Sequence, residues 1–315
     1  MQGAVASAGA NATRLTRTGP RPRFPNGLQG RSKVPPEAYR TRFAPSPTGY
    51  LHLGHAYSAL TAAHRAAERG GTMLLRIEDI DTARCKPEFE AAIFEDLAWL
   101  GLRWEEPVMR QSARRTAYDS ALERLVAMGL CYPCCCTRRE IRAALSAHQE
   151  GADRPPTYPG TCRQRPMAEA GPDDAIRLDM GRALAAAGTS LHFTETGPAR
   201  PGEHVVSAAQ LAEEHGDIIL ARRDIGTSYH LAVVVDDAAQ AITEIVRGGD
   251  LFDSTPVHRL LQVLLGLPRP TYYHHRLIRD DSGRRLAKRD DARAIRRYRA
   301  DGEAPARLRA GLGFA

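Results

Sequence analysis

The chain has 315 residues, of which 43% are hydrophobic, so it is long enough for one large α/β domain with an inserted or appended module. It contains neither an apolar run of about 18 residues nor a charged-then-apolar leader, so we expect a cytoplasmic protein that makes no membrane contact. The net charge of +7 does not by itself predict nucleic-acid binding, because residues 1–36 and 284–315 hold the excess of Lys and Arg and the segment between them is acidic on balance.

The first part of the chain predicts a disordered tail followed by alternating strands and helices. Residues 1–36 are rich in Ala, Gly, Arg, Ser and Pro and show no apolar periodicity. The elements predicted after Tyr39 are a strand at Thr41–Ala44, a helix from Leu53 to Gly70, a strand at Thr72–Ile77 and amphipathic helices at Pro87–Leu100 and Arg115–Met128. This alternation predicts a parallel sheet.

A cysteine-rich segment interrupts the alternation, and the sheet is expected to resume after it. Cys131–Arg163 contains five of the six cysteines, a clustering that points to a metal rather than to a disulfide framework. Further strands are predicted at Asp217–Leu220, Leu231–Val235 and Ile242–Val246, and the Leu231–Val235 run (LAVVV) is typical of a strand buried on both faces. Ser254 and Pro256 then open a helix that ends near Leu265.

The segment Arg42–His55 (RFAPSPTGYLHLGH) predicts an anion site where a strand passes into a helix. Two prolines fix an extended turn, and His52 and His55 lie one helical turn apart on one face. Their imidazoles and the backbone amides of the first turn are placed to hydrogen-bond the oxygens of a phosphoryl group. Two surface histidines would be the structural alternative for an isolated motif of this kind.

The motif PSPTGYLHLGH resembles the HIGH signature of class I aminoacyl-tRNA synthetases, in the form found in the glutamyl and glutaminyl branch. The resemblance implies a Rossmann-like α/β catalytic domain in which ATP, escorted by Mg²⁺, lies across the signature helix near His52, Gly54 and His55. The carboxylate of an amino acid would attack the α-phosphate, and the two histidines would stabilise the charge on the transferring group.

Further segments extend the resemblance to a glutamate site. LRIEDIDTAR is similar to the RIEDTD segment of glutamyl-tRNA synthetases, which implies that Glu78 holds the α-ammonium group and that Arg42, Ala44 and Ser46 contact the amino acid. SYHLAVVVDD and EIVRGGDL are similar to the second-half strands of the family, which nominates Tyr229 and Arg247. The planar guanidinium of an arginine can engage both oxygens of a γ-carboxylate and so select glutamate over glutamine.

The RLAKR segment at residues 285–289 stands where the family has its mobile KMSKS loop. Lys288 matches the second lysine of that loop, whose family role is to pair with ATP phosphates. Arg285 and Ala287 depart from the pattern, so a basic surface loop is the alternative, and weakened ATP binding is one possible consequence.

The cysteine spacing is suited to a small knuckle around one tetrahedral ion. Cys134 and Cys136 form a CxC pair, and Tyr158 and Cys162 form a Y-x3-C pair; three thiolates favour Zn²⁺. The glutamyl-queuosine branch of the family carries a comparable site with the tyrosine as fourth ligand, which nominates these four residues. The 21 residues between Cys136 and Tyr158 form an expanded loop. This loop and the additional thiols of Cys131 and Cys135 leave other ligand sets open, and buried free cysteines are the alternative to a metal site.

The end of the chain separates two branches of the family. Only 27 residues follow Lys288, and a folded anticodon-binding domain needs about 50. The resemblance is therefore strongest to the glutamyl-queuosine tRNA(Asp) synthetases, which activate L-glutamate without tRNA and transfer it to queuosine at the wobble position of tRNA(Asp). The alternatives are a catalytically inactive, zinc-bearing RNA-binding paralogue and an enzyme that adenylates another small acid.

The expected organisation follows from these assignments, with a monomer as the expected state. Residues 1–38 are expected to form a disordered basic tail, and residues 39–130 and 201–283 the two halves of the Rossmann-like catalytic domain. Residues 131–200 would form a zinc-binding, acceptor-type insert, and residues 284–315 the KMSKS-like loop and the basic C-terminal segment.

Overall fold

The computed structural model describes residues 38–137, 139–141, 157–222, 224–278 and 294–314. The predicted N-terminal tail up to residue 37 and the RLAKR segment with Lys288 lie outside these residues. The strands are β1 (Arg40–Phe43), β2 (Thr72–Ile77), β3 (Glu105–Arg110), β4 (Cys131–Cys134), β5 (Ala175–Leu178), β6 (Ser190–Glu195), β7 (Gly202–Ser207), β8 (Ile219–Ala221), β9 (Glu244–Gly248) and β10 (Thr271–His275). The helices are α1 (Leu53–Glu68), α2 (Pro87–Trp99), α3 (Arg115–Ala127), α4 (Met180–Ala187), α5 (Ala208–His215), α6 (Tyr229–Ala239), α7 (Thr255–Leu264), α8 (Ile295–Ala300) and α9 (Pro305–Gly311).

A parallel sheet forms from the first half of the chain, as predicted. Strand β2 pairs in parallel with β1 on one side and with β3 on the other. The predicted helices α1, α2 and α3 begin and end within a few residues of their expected bounds. Strand β3 was not predicted, because its sequence EEPVMR holds a proline and little alternation.

A second sheet has the order β7-β6-β10-β9, in which β9, β10 and β6 are parallel and β7 is antiparallel to β6. The two sheets meet where β1 lies beside the start of β9. There the backbone N–H of Thr243 donates to the carbonyl of Arg40 at 3.0 Å. Arg42 Nη1 donates to the carbonyl of Val246 at 2.8 Å. The carboxyl ends of β1, β2 and β9 are thereby brought to one edge, where open α/β sheets place their ligands.

The predicted strand at Leu231–Val235 is wrong, because this run lies in helix α6. The side chain of Ser228 caps the helix by accepting from Leu231 N at 3.4 Å. Leu231, Ala232, Val233 and Val234 are all buried, since the helix packs between other elements rather than on the surface. A short, continuous apolar run looks the same in a doubly buried strand and in a buried helix.

A small antiparallel sheet, β4-β5-β8, carries the cysteine-rich segment. The predicted strand at Asp217–Leu220 exists as β8, but it pairs with β5 in this small sheet and does not extend the parallel one. The segment that holds the predicted metal ligands, here called the knuckle, has a small core of its own. This core consists of Tyr132, Cys134, Tyr158 and Cys162 and is distinct from the two large cores.

None of the helices in the described part of the chain combines the length and the apolar character needed to cross a bilayer.

Candidate active site

A cavity of about 610 Å³ opens at the edge where the carboxyl ends of β1, β2 and β9 meet. Its lining includes most of the residues that the sequence nominated, namely Arg42, Ala44, Ser46, His55, Glu78, Tyr229 and Arg247. His52 and Gly54 belong to the adjoining turn, and the ring of His52 lies against that of His55 with centroids 3.8 Å apart. Segments far apart in the sequence therefore meet at one site.

The two histidines cap helix α1, and this fixes their tautomers. His52 Nδ1 accepts from Gly54 N at 3.1 Å, and His55 Nδ1 accepts from His52 N at 3.1 Å. An imidazole nitrogen that accepts a backbone N–H carries no proton, so each neutral ring has its proton on Nε2. Both residues thus hold an Nε2–H donor at a helix N-terminus, where the helix dipole favours anions.

A buried ion network supports the opposite wall of the cavity. Asp237, from helix α6, accepts from Arg42 Nε at 3.0 Å and from Arg76 Nη1 at 2.7 Å. Burial alone would raise the pKa of Asp237, but the two arginines outweigh it and hold the pKa below its usual value. Arg42 Nη2 has no hydrogen bond within the described residues, which leaves it available to a carboxylate in the cavity.

Glu78 is the acidic group of the cavity. Its Oε1 accepts from the fully buried Arg76 at 3.1 Å. Burial raises the pKa of Glu78, and the charges of Arg76 and Arg42 oppose that rise. Glu78 is partly buried, and a carboxylate in such a position that lines a cavity gains from a cationic ligand, so Glu78 is suited to hold an ammonium group.

Arg247 is buried and is held from behind by neutral groups. Its Nε donates to His274 Nε2 at 3.0 Å, its Nη1 to His258 Nδ1 at 3.0 Å, and its Nη2 to Thr255 Oγ1 at 2.8 Å. A guanidinium has five N–H groups, so one remains on each terminal nitrogen. Within the described residues no carboxylate forms an ion pair with Arg247, which leaves a buried cation facing the cavity without a counter-ion.

Tyr229 stands in the first turn of α6 rather than at the start of a strand. Its ring packs edge-on against His230 and His258, each at a centroid distance of 5.6 Å. Burial raises the pKa of Tyr229, so the phenol stays protonated and can donate a hydrogen bond.

Sequence reasoning missed several residues of the site. Gln111, Asp81, Arg84 and Arg222 line the same cavity. Asp81 and Arg84 fall within the LRIEDIDTAR segment, whose charge density was a usable signal. Gln111, in the turn after the unpredicted strand β3, and Asp237, at the end of a run assigned to a strand, had no such signal.

The predicted metal ligands converge in the knuckle. The sulfurs of Cys134, Cys136 and Cys162 lie within 4.8 Å of one another. The Tyr158 oxygen is 3.3 Å from Cys134 Sγ and 3.5 Å from Cys136 Sγ, and Cys136 Sγ is 3.5 Å from Cys162 Sγ. Tetrahedral zinc with its usual bond lengths sets S···S edges near 3.8 Å and S···O edges near 3.5 Å, so this donor set fits the ion.

The thiols of the knuckle differ in acidity. Burial opposes ionisation of Cys162, but hydrogen bonds from Tyr158 and Cys136 outweigh it and lower the pKa to about 7. Burial raises the pKa of Cys136 to about 12. The cluster therefore holds one thiol that ionises near neutral pH beside more weakly acidic groups, and a cation would favour ionisation of all of them.

Comparison with known proteins gives one family for the whole described region. The family model of the class I tRNA synthetases for E and Q, catalytic domain, matches residues 38–314. A glutamyl-Q tRNA(Asp) synthetase of Rhodobacter capsulatus is 54% identical over 87% of this chain and 99% of that protein. One of Methylococcus capsulatus is 42% identical over 84% of this chain and 80% of that protein.

A solved glutamate–tRNA synthetase from Elizabethkingia anophelis aligns with a TM-score of 0.66 and 30% identity over 81% of this chain. The chain spans about half of that larger protein, 53% of its length. The match to the family model, the two relatives covered over 99% and 80% of their length and the shared fold agree. The chain therefore belongs to the glutamyl-Q tRNA(Asp) synthetases, within the class I tRNA synthetases for glutamate and glutamine.

Proposed function

We propose that the protein activates L-glutamate with ATP and transfers the glutamyl group to queuosine in tRNA(Asp). The observation that carries this proposal is the charge arrangement of the cavity. Arg247 is a buried cation without a carboxylate partner in the described part of the chain, and Glu78 is a partly buried acidic group that lines the same cavity. Glutamate, with an anionic side chain and a cationic amine, complements both groups.

In the activation step, Arg247 binds the γ-carboxylate, Glu78 holds the α-ammonium group, and Arg42 offers Nη2 as a second cationic donor. An oxygen of the α-carboxylate attacks the α-phosphorus of ATP, and the bond to the bridging oxygen of the β-phosphate breaks. Glutamyl-adenylate and pyrophosphate result. Donors aimed at the transferring phosphate stabilise its developing charge, which is the role of the Nε2–H groups of His52 and His55. Mg²⁺ would neutralise the charge on the polyphosphate, and Lys288 is assigned to the same polyphosphate.

In the transfer step, a hydroxyl of the cyclopentenediol of queuosine attacks the carbonyl carbon of the adenylate. The acyl–phosphate bond breaks, AMP leaves, the proton of the attacking hydroxyl is released, and the glutamyl ester remains on the modified base. The acceptor must reach the same cavity, whose lining includes Asp81, Arg84 and Arg222 in addition to the residues assigned to glutamate.

The zinc assignment belongs to the same proposal. Cys134, Cys136, Tyr158 and Cys162 would hold one Zn²⁺, which would serve as a structural crosslink of the knuckle. None of the four lines the active-site cavity, so the reaction does not pass through the metal.

The deciding experiment measures glutamate-dependent exchange of pyrophosphate into ATP without tRNA, and then the transfer of radiolabelled glutamate to tRNA(Asp) with and without queuosine. We expect exchange without tRNA, and label only on the queuosine-containing tRNA. Absence of exchange in folded protein would sink the assignment. Label on tRNA without queuosine would instead favour an aminoacylating enzyme.

A matched pair of variants connects this activity to the cavity. Arg247→Gln should lower kcat/KM for glutamate by at least about 100-fold, since a buried charge-assisted contact is lost. Arg182→Gln, on the exposed face of α4, should leave it unchanged. Equal activity of both variants would contradict the role of Arg247.

A further inference from the structure

The partners of Arg247 are unusual for a buried arginine. All three described acceptors, His274 Nε2, His258 Nδ1 and Thr255 Oγ1, are uncharged. Buried charges are ordinarily paired with an opposite charge, because burial of an unpaired ion is costly. A carboxylate at any of these three positions would stabilise the isolated protein more.

Burial and the charge of Arg247 lower the pKa of His274, and contacts on its other side fix its tautomer. Its Nδ1–H donates to Glu195 Oε2, which leaves Nε2 as the acceptor for Arg247. Glu195 is itself fixed, since its Oε1 accepts from His274 N at 2.9 Å and from Gly197 N at 2.6 Å. A Cβ on Gly197 would approach Glu195 Oε1 and His274 O to 2.6 Å, so glycine is required there. The ring of His274 therefore lies between the Glu195 carboxylate and the Arg247 guanidinium.

His258 is held in the same state by a second imidazole. Its Nδ1 accepts from Arg247, so its proton lies on Nε2, which donates to His230 Nδ1 at 3.1 Å. Burial and the charge of Arg247 lower the pKa of His258 well below its usual value. Burial lowers the pKa of His230 to about 4. Both rings are neutral at the pH of the cell and orient Arg247 without neutralising it.

We propose that His258 and His274 are positioning residues that aim the Arg247 guanidinium into the cavity while leaving its charge uncompensated, and that they thereby set the preference for glutamate over glutamine. The inference rests on the proposed function. A neutral acceptor holds the guanidinium in place, whereas the missing counter-ion must come from the ligand. Glutamate supplies that charge and glutamine does not.

Three substitutions of equal shape test the idea at His258. Asn places a neutral acceptor near the Nδ1 position, Leu has the same branched outline without an acceptor, and Asp adds a charged acceptor. All three lose the contact to His230 equally, so the differences among them report the contact to Arg247.

We expect His258→Leu to raise KM for glutamate about 10- to 100-fold over that of His258→Asn, with KM for ATP unchanged in both. His258→Asp should lower the ratio of kcat/KM for glutamate over glutamine on the order of 100-fold, because the new carboxylate neutralises Arg247. ATP affinity also shows that each variant is folded.

The inference is overturned if the three variants share one KM for glutamate and one glutamate-to-glutamine ratio while the unmutated protein is active. Loss of exchange in the unmutated protein would instead defeat the proposed function. His274→Gln against His274→Met repeats the comparison independently, since Gln keeps an acceptor near the Nε2 position and Met does not. Equal KM values for that pair would remove His274 from the proposal.

Discussion

The two nitrogens of the His55 ring have separate tasks. Nδ1 accepts the backbone N–H of His52 and closes the first turn of α1. The proton is therefore on Nε2, the nitrogen assigned to the transferring phosphate. Structural and chemical contributions of one residue can thus be separated by substitutions that remove one nitrogen or both.

We predict that His55→Asn and His55→Ala lower kcat for pyrophosphate exchange equally, by about 10²- to 10³-fold, because both lack the Nε2 donor. Asn keeps an acceptor near the Nδ1 position, so only His55→Ala should lower the free energy of unfolding, by about 1 kcal/mol. Exchange kinetics and urea unfolding measure the two effects. A wild-type rate for His55→Asn would show that Nε2 is not used.

The residues that could be read from the sequence are those in compact local motifs. His52 and His55, Glu78 and Arg247 each stand in a segment whose neighbours indicate a ligand site. Asp237, His258 and His274 act through contacts with residues distant in the sequence: Asp237 pairs with Arg42 across 195 positions. Such partners are set by the packing of the sheets, and no local pattern carries them.

At the scale of elements, helix α2 carries Asp96, a buried carboxyl group whose ionised form is unfavourable in the folded protein. Asp96 is fully buried, and neither of its oxygens has a hydrogen bond within the described residues. Arg299 of helix α8 approaches it only to 3.7 Å. Burial raises the pKa of Asp96 to about 6, against the opposing charge of Arg299.

The raised pKa of Asp96 determines how the free energy of unfolding changes with pH. Between pH 4 and 6, roughly, the folded protein binds the proton more tightly than the unfolded chain does, so this group adds stability as the pH falls through 6. Above pH 6 the ionised, buried carboxylate costs stability. We predict that Asp96→Asn raises the free energy of unfolding at pH 7.5 by about 1–2 kcal/mol and that only about half of this gain remains near pH 5, because the carboxylate is then largely protonated in the folded protein.

Urea unfolding at both pH values measures this gain. Glu95→Gln is the matched control, since Glu95 is an exposed neighbour that pairs with the same Arg299 at 2.7 Å. It should change stability by less than about 0.5 kcal/mol at either pH. A gain for Asp96→Asn that is independent of pH would contradict the assigned cause.

Elements were predictable where the apolar period was long or a cap was present. Helices α1, α2, α3 and α7 follow from periodicity and from proline, serine and glycine at their ends. Helix α6 did not, because its apolar run of five residues fits either a strand or a helix, and its Ser228 cap was outweighed by β-branched composition. The hairpin of β6 and β7 was not predicted. Its place in the second sheet depends on pairing with β10, which lies far away in the sequence.

At the scale of the whole molecule, the catalytic sheets and the knuckle are stabilised differently. The sheets bury two large apolar cores, whereas in the described part of the knuckle the buried cluster consists of Tyr132, Cys134, Tyr158 and Cys162. An apolar cluster of that size is too small to stabilise a folded module by itself, so we expect a metal crosslink to contribute to the stability of the knuckle. The parallel sheet could be predicted from the sequence, whereas the pairing of β8 with β5 could not.

We predict that Cys134→Ser loses bound zinc, measured by elemental analysis, while Cys135→Ser retains about one ion per chain. Cys135 is the matched control, since it is exposed, lies in the same turn and stands 4.0 Å from Cys162 Sγ, yet is not one of the four nominated ligands. Loss of the ion should expose the knuckle to limited proteolysis, because its small core then has no crosslink. Glutamate-dependent exchange should persist in Cys134→Ser, since the cavity is lined by other elements. Zinc retained by Cys134→Ser and lost by Cys135→Ser would assign the ligand to the neighbouring cysteine, and zinc absent from the unmutated protein would leave the knuckle as a cluster of buried thiols.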